Sequence, residues 1–238
     1  MTAPHFFAPD VSGAVVALGD DESRHALRVL RMRPGEAITI SNGHGDMVRA
    51  TVIDAGPLLT AAVAERRTVA RPEPRLVMFC AIPKAGKLDL VVQKLTELGV
   101  DAIQPFRAAR SIARWDPGKA KAQTERLNTI AHEAAKQSRR AWLPEVRPPA
   151  SLDEIALPAV SFVVDEEART PLRESLPVEA PETVAIVVGP EGGLEREEVA
   201  ALAERGAPAA SLGPLILRTE TAALVAAAVV GVRYGLLG

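Results

Sequence analysis

Cysteine is nearly missing from this chain: Cys80 is the single one among 238 residues. No disulfide can close within the chain, which points to a reducing compartment and excludes the disulfide-stapled secreted scaffolds. Cys80 lies in the apolar run Leu76-Val77-Met78-Phe79-Cys80 and reads as a small buried hydrophobe without an activating partner. Aromatic residues make up 3% of the chain, too few for an extended base-stacking platform. Long apolar runs are lacking as well. The longest, near Ala222 to Val232, falls short of the roughly 20 residues that a membrane-spanning helix needs. The first ten residues carry Pro4 and Pro9 and no apolar stretch of a secretory signal. These absences together predict a cytosolic protein. Metal-binding patterns are missing too. His5, His25, His44 and His132 are scattered, and His132-Glu133 lacks the second histidine of a zincin helix. No metal is expected, and no G-x-S-x-G nucleophile turn is present. Excess charge of either sign is also lacking: the formal net charge is −2, which excludes a protein basic all over but not one with a basic face.

What is present is a chain with 47% hydrophobic residues, enough for a real core in one large domain or two modest ones. Residues 1–70 predict a small β-barrel. Val11 to Leu18, Ala37 to Ser41, Met47 to Ile53 and Leu59 to Arg66 have strand composition. Turn signals such as Arg33-Pro34-Gly35 and Asn42-Gly43-His44-Gly45-Asp46 separate them. Ser23 to Met32 predicts a short helix with a serine near its start. Arg71-Pro72-Glu73-Pro74 reads as a linker. From 75 to 238, strands alternate with helices, which predicts an α/β domain on a parallel sheet. Strands are expected at Leu76 to Ile82, Ala102 to Phe106, Ser161 to Val164, Val184 to Val188 and Ala209 to Leu212. Helices are expected at Leu88 to Leu98, Lys119 to Arg139, Glu195 to Glu204 and Thr219 to about Tyr234.

Two glycine turns carry the functional signal. Gly189-Pro190-Glu191-Gly192-Gly193 follows one strand, and Leu212-Gly213-Pro214-Leu215-Ile216-Leu217 follows another. Ligands of open α/β sheets bind at the carboxyl ends of the strands, so the turns predict one shared pocket; the alternative is a pair of tight connections with no ligand. A polyphosphate is disfavoured. Glu191, Glu195, Glu197 and Glu198 crowd the first turn and already oppose the helix dipole, and neither a Walker lysine nor a G-x-G-x-x-G spacing is present. A ligand with a positive centre fits better, and S-adenosylmethionine, with its sulfonium, qualifies. Leu215 to Leu217 are expected to be packed, because an exposed loop seldom carries three large apolar residues in a row. Thr219 is expected to cap the last helix. Arg218 and Glu220 form either a structural ion pair or groups that face substrate.

These turns, with Leu217-Arg218-Thr219-Glu220-Thr221-Ala222, resemble the RsmE family, the 16S ribosomal RNA (uracil-N3)-methyltransferases of the SPOUT superfamily. His25 to Gly35 is similar to the family's PUA-like RNA-binding domain. Lys87-Leu88-Asp89, Gln93-Lys94, Glu97-Leu98-Gly99 and Glu133-Ala134-Ala135-Lys136-Gln137-Ser138 continue the resemblance; Ala26, where isoleucine is commoner, departs from it. The resemblance implies a PUA-like barrel over 1–70, and a methyltransferase domain with a deep trefoil knot over 75–238. It implies a homodimer in the cytoplasm that acts on 16S rRNA or the small ribosomal subunit. Backbone from the two turns and a loop near Val164 would hold S-adenosylmethionine. That assigns Val164, Gly189, Pro190, Glu191, Gly193, Leu212, Gly213, Leu217, Arg218 and Thr219 to the cofactor.

Uracil N3 carries a proton, so attack on a methyl group needs a base or cations that stabilise the uracil anion. Arg218 and Arg110 are the expected anion stabilisers, and Glu220 the orienter or base. Basic residues cluster at Arg24, His25, Arg28, Arg31 and Arg33, then at Arg107, Arg110, Arg114, Lys119 and Lys121, and again at Lys136, Arg139, Arg140 and Arg147. Arg24, Arg28, Arg31, Arg33, Gln137 and Arg140 are expected to meet RNA; the bland alternative is a solvated face. Trp115 and Trp142 either stack on bases or pack. Two other functions fit the same chain: an RNA-binding protein with a silent second domain, and a methyltransferase acting on a ribose 2′-OH or another base.

Overall fold

A computed structural model describes residues 3–83, 87–111 and 115–237. Arg114, from the second basic cluster, lies outside them. The chain divides into two compact units: one takes the residues up to Arg71 together with Ala135–Leu143, the other takes Pro72–Ala134 and the residues from Pro144 onward.

In the first unit, β1 (His5–Phe7), β2 (Val15–Ala17), β3 (Ala37–Ser41), β4 (Asp46–Ala55) and β5 (Leu59–Thr68) form one sheet in the order β1-β3-β4-β5-β2. All pairings are antiparallel except β1 with β3. Phe6, Leu18, Ile38, Ile40, Val48, Val52 and Leu59 build its core. Strand alternation delivers the last five of these from β3 to β5. β1 was not expected, because all three of its residues are buried and so carry no alternation to read. The Asn42 to Asp46 turn needs Gly45 for space. A Cβ there would lie 2.6 Å from the indole of Trp142, which donates Nε1–H to the carbonyl of Val69 at 3.0 Å.

The helix expected over Ser23 to Met32 is replaced by α1 (Asp20–Arg24) and a π turn (His25–Val29). Ser23 does not cap it. Its buried hydroxyl donates to Leu18 O and accepts from Leu59 N, both at 3.0 Å, tying the helix to the sheet. Asp20, Asp21 and Glu22 fill the first turn instead, where carboxylates complement the dipole.

The second unit runs through β6 (Arg75–Ala81), α2 (Lys87–Glu97), β7 (Ala102–Arg107), α3 (Pro117–Gln137), β8 (Glu145–Val146), β9 (Ala150–Ser151), β10 (Val160–Val164), α4 (Leu172–Ser175), β11 (Thr183–Val188), α5 (Arg196–Glu204), β12 (Ala209–Ala210) and α6 (Thr219–Arg233). The last turn of α3 belongs with the first unit. The sheet order is β12-β10-β11-β6-β7-β8, with β9 also on β7, and every pairing is parallel. Period two sorts the central strands. Leu76, Met78, Cys80, Ile186 and Val188 face α2, α3 and α6. Val77, Phe79, Ala81, Ala185 and Val187 face the layer that holds α5. Burial pushes the Cys80 thiol up to about 12, which keeps it protonated and unreactive. The alanines of α6 (Ala222, Ala223, Ala226 and Ala227) are buried in this core. The small side chains therefore serve close packing within the chain.

Candidate cofactor and substrate site

Parallel strands end on the same edge, and β12, β10 and β11 are neighbours there. The segments that leave their carboxyl ends line one cavity of about 290 Å³. After β10 come Asp165, Glu166 and Glu167, with Val164 at the strand's end; after β11 comes Gly189 to Leu194; after β12 come Ser211, Leu212, Gly213, Leu215 and Leu217. Of the residues expected to hold cofactor, Val164, Gly189, Pro190, Glu191, Gly193, Leu212, Gly213, Leu217 and Thr219 lie on its wall. Arg218 is placed between two lining residues, is exposed, and makes no side-chain hydrogen bond or ion pair with the other described residues.

The first turn closes with Gly193 N donating to Pro190 O at 2.9 Å. At Gly189 a Cβ would stand 3.0 Å from Leu194 Cγ, so any larger residue must push that side chain aside where the chain returns. Glu195 and Glu198 form a reciprocal capping box at the start of α5. Glu198 also accepts the backbone N–H of Ala109 at 2.8 Å. Arg110 donates to Gly192 O at 2.9 Å and approaches Glu195 at 3.7 Å. A guanidinium has five donors, so these contacts do not exhaust it. In the second turn, Gly213 adopts φ +125°, a backbone region that is essentially glycine's alone, and its N–H is bound by Ser211 Oγ at 3.1 Å.

Two expectations are corrected here. Leu215 to Leu217 are not packed as a set: Leu215 is 77% and Ile216 81% exposed, while Leu212 and Leu217 pack on the core. A bend presents its successive residues in different directions, so its ends reach the core and its tip does not. Thr219 is not the helix cap either. Arg218 takes that position with extended backbone and no side-chain cap. Thr219 is the first helical residue, 4% exposed, and its Oγ1 has no hydrogen-bond partner among the described residues.

Sequence reasoning did not single out two ion pairs at this edge. Lys87, which opens α2, places Nζ 3.3 Å from both Glu191 of the first turn and Glu220 of α6. Arg218 and Glu220 are not paired with each other: Glu220 pairs with Lys87. Asp165 is buried and receives two hydrogen bonds from Arg196, at 2.7 and 3.1 Å. The one available signal was Arg196 standing among the acids of the first helical turn. Burial opposes the ionisation of Asp165, but the Arg196 bonds and the N–H of Glu167 outweigh it and hold the carboxyl below its ordinary range. A carboxyl depressed by folding stabilises the protein above its unfolded value, near 3.9, and loses that contribution as pH falls through its folded value. The melting temperature should therefore hold between about pH 7 and 5 and drop below about pH 4. Asp165→Asn should start lower and show a shallower drop in thermal melts across that series. An unchanged slope would remove Asp165 from the account.

The RNA candidates Arg24, Arg28, Arg31 and Arg33 are exposed along α1, the π turn and the residues after it. Gln137 and Arg140 belong to the same unit. The half-buried pair of Lys136 with Glu22, at 3.3 Å, draws their segment to α1. Arg107, Lys119 and Lys121 belong to the other unit. Trp115 packs on the core of that unit. Trp142 is held by its bond to Val69 and lies under Arg71 at 5.0 Å. Among the described residues, no group of three or more His, Cys, Asp or Glu could hold a metal ion, and no helix is long and apolar enough to cross a membrane.

Residues 71–231 match the RNA methyltransferase domain family, and residues 18–58 match the RNA methyltransferase PUA domain. Ribosomal RNA small subunit methyltransferase E of Mycobacterium bovis is 38% identical over 94% of this chain and 88% of its own length. The Bacillus subtilis protein of that name is 34% identical over 91% and 90%. The chain belongs to the ribosomal RNA small subunit methyltransferase E family. Members of the family with solved structures share the fold. The methyltransferase E of Neisseria gonorrhoeae, bound to S-adenosylmethionine, superposes with a TM-score of 0.87 at 30% identity over 98% of both chains. A methyltransferase from Legionella pneumophila in complex with the same cofactor gives the same TM-score, identity and coverage. This family member is an RNA methyltransferase with a PUA-like N-terminal sheet.

Proposed function

We propose that the protein transfers a methyl group from S-adenosylmethionine to N3 of a specific uridine in the 16S ribosomal RNA of the small subunit. The observation that carries this reading is the cavity in which both glycine turns meet beside the orphaned hydroxyl of Thr219. A buried hydroxyl without a partner is costly unless a ligand completes it. Asp165, Glu166, Glu167 and Glu191 outnumber Arg110 and Arg196 on the wall, which suits a cationic ligand over a polyphosphate. When bound, S-adenosylmethionine supplies an electrophilic methyl on a sulfonium. Backbone groups of Gly189, Pro190, Gly193, Leu212, Gly213, Leu217 and Arg218, with Val164, Glu191 and Thr219, would hold it.

The chain's own residues supply the rest. Arg218, exposed and without a side-chain partner among the described residues, stabilises the negative charge that uracil acquires when N3 loses its proton. Arg110 adds a second cation from the wall. Glu220, fixed by Lys87, orients the base or receives the proton. Arg24, Arg28, Arg31, Arg33, Gln137 and Arg140 hold RNA through its phosphates. Residues 1–70 form the RNA-binding barrel and 75–238 the catalytic domain, threaded as a deep trefoil knot. The exposed Leu215 and Ile216 support a homodimer, since a second chain would cover them. A cytoplasmic location follows from the substrate.

The test is incubation with labelled S-adenosylmethionine and small subunits whose 16S rRNA lacks the mark, followed by digestion to nucleosides and mass spectrometry. 3-Methyluridine is the expected product. 2′-O-Methyluridine would assign the ribose instead. No transfer, with no saturable binding of the cofactor, would leave an RNA-binding protein with a silent domain.

A further inference from the structure

The π turn places two apolar side chains where the sequence's own periodicity would not. Ala26 is fully buried in the core of the first unit. In an α-helix, residues three and four further on, Val29 and Leu30, would share its face. Instead Val29 is 65% and Leu30 43% exposed. A π turn holds more residues per turn and breaks that spacing: Leu27 packs against the edge of the core, and Met32, whose N–H reaches Ala26 O at 3.0 Å, is the next buried residue. Arg31 then takes a left-handed φ of +56°, which turns the chain away. Wide turns of this kind are frequent at functional sites.

The neighbours of this apolar pair are cationic. Arg28 precedes it and Arg31 follows it, with Arg24 and Arg33 to either side, all exposed. The nearest acids in sequence are engaged. Asp21 pairs with Arg24 at 2.8 Å, Glu22 with Lys136 at 3.3 Å, and Glu36 accepts the backbone N–H of Arg33 at 2.8 Å. An exposed apolar pair flanked along the chain by guanidinium groups matches the surface of a polyanion whose flat apolar faces are uncovered. Unpaired RNA has both features; duplex RNA hides its base faces in the stack.

We propose that Val29 and Leu30 form an apolar wedge that packs against the bases of an unpaired RNA segment, while Arg24, Arg28, Arg31 and Arg33 hold its phosphates. This rests on the reading of the chain as an RNA methyltransferase acting through its N-terminal unit, and it adds a discrimination that the arginines alone do not give. Phosphate contacts bind single and double strands alike; the wedge rewards only accessible bases.

The full chain is titrated, by fluorescence anisotropy over a series of salt concentrations, with a mixed-sequence oligoribonucleotide and with the same strand annealed to its complement. Val29→Ser with Leu30→Ser should weaken single-strand binding about tenfold, from the apolar area no longer buried. Duplex affinity should stay within about twofold and the salt dependence should be unchanged. Arg28→Ala with Arg31→Ala should weaken both RNAs and lower the salt slope by about two. Both wedge residues are exposed, so thermal melts of the variant should match the parent. Unchanged single-strand affinity in the serine variant overturns the proposal. So does an equal loss on both RNAs, and so does a loss that appears only as a changed sedimentation coefficient, which would give the face to a second copy of the chain. A parent that binds neither RNA overturns the RNA-binding reading itself, and the wedge with it.

Discussion

Arg218→Ala is expected to slow methyl transfer by about a thousandfold, the scale of losing one preorganised charge from a developing anion, while affinity for S-adenosylmethionine changes by less than about twofold. The structure makes this separation testable. Arg218 holds the N-cap position with φ −66° and ψ 152°, a conformation open to any residue, and its side chain stabilises no other described residue. Folding should therefore tolerate alanine. The residues on either side of it line the cavity, and the proposed role has the exposed guanidinium act on a base brought to that edge. Uracil N3 becomes nucleophilic only as its proton leaves, and the charge that develops is what the cation opposes. Single-turnover kinetics with pre-bound RNA, alongside calorimetric titration of the cofactor, read the two effects apart. Arg218→Lys should recover part of the rate, because it keeps the charge but loses the fork of donors. Equal losses in rate and in cofactor affinity would reduce Arg218 to a binding residue, and no loss of rate would remove it from the chemistry.

Lys87→Met should weaken S-adenosylmethionine binding by about tenfold, the scale of two part-buried ion pairs lost together. The ammonium lies 3.3 Å from Glu191 on one turn and 3.3 Å from Glu220 on the last helix. Without it, two carboxylates are left facing each other across the place where the turn after β11 meets α6. Their repulsion would spread the cavity wall. The discriminating experiment is compensation: Lys87→Met combined with Glu220→Gln removes the repulsion and should restore most of the affinity. A cofactor titration in which the double variant binds no better than Lys87→Met would show that the lysine does not act as a spacer between these charges. Normal binding by Lys87→Met alone would show that it has no positioning role. If the parent shows no saturable binding, the cofactor assignment fails instead, and neither variant bears on it.

Much of this site was legible because parallel α/β sheets put their chemistry at strand ends. Glycine next to a strand marks such an end, and Gly189, Gly193 and Gly213 each answer to a local requirement: a close return of chain at the first and a positive φ at the other two. The apolar runs Leu76 to Ile82 and Val184 to Val188 announced buried strands, and their boundaries moved by only a residue. What could not be read depended on partners distant in sequence. Lys87 meets Glu220 across 133 positions, and no local pattern encodes that meeting. Ser23 looked like a cap and is instead a buried bridge to Leu59, because the choice between those roles belongs to the sheet. Leu215 and Ile216 looked like core, because three large apolar residues in a row resemble core until the bend that separates them is known. His5 to Phe7 was invisible for the opposite reason: a strand buried on both faces and only three residues long has no period.

The first unit enters the chain twice, and this bears on how the protein can be taken apart or made. The Arg71 to Pro74 stretch looks like a natural place to cut, and all five strands of the small sheet precede it. Yet Ser41 donates its hydroxyl to Ala141 O and Gly45 donates its N–H to the same carbonyl, each at 3.0 Å, while the indole of Trp142 fills the hollow over Gly45. A fragment ending at Arg71 would leave those donors stranded. On the ribosome, the amino-terminal sheet must likewise wait some seventy residues of synthesis after Arg71 before its last pieces, Ala135–Leu143, emerge to complete it.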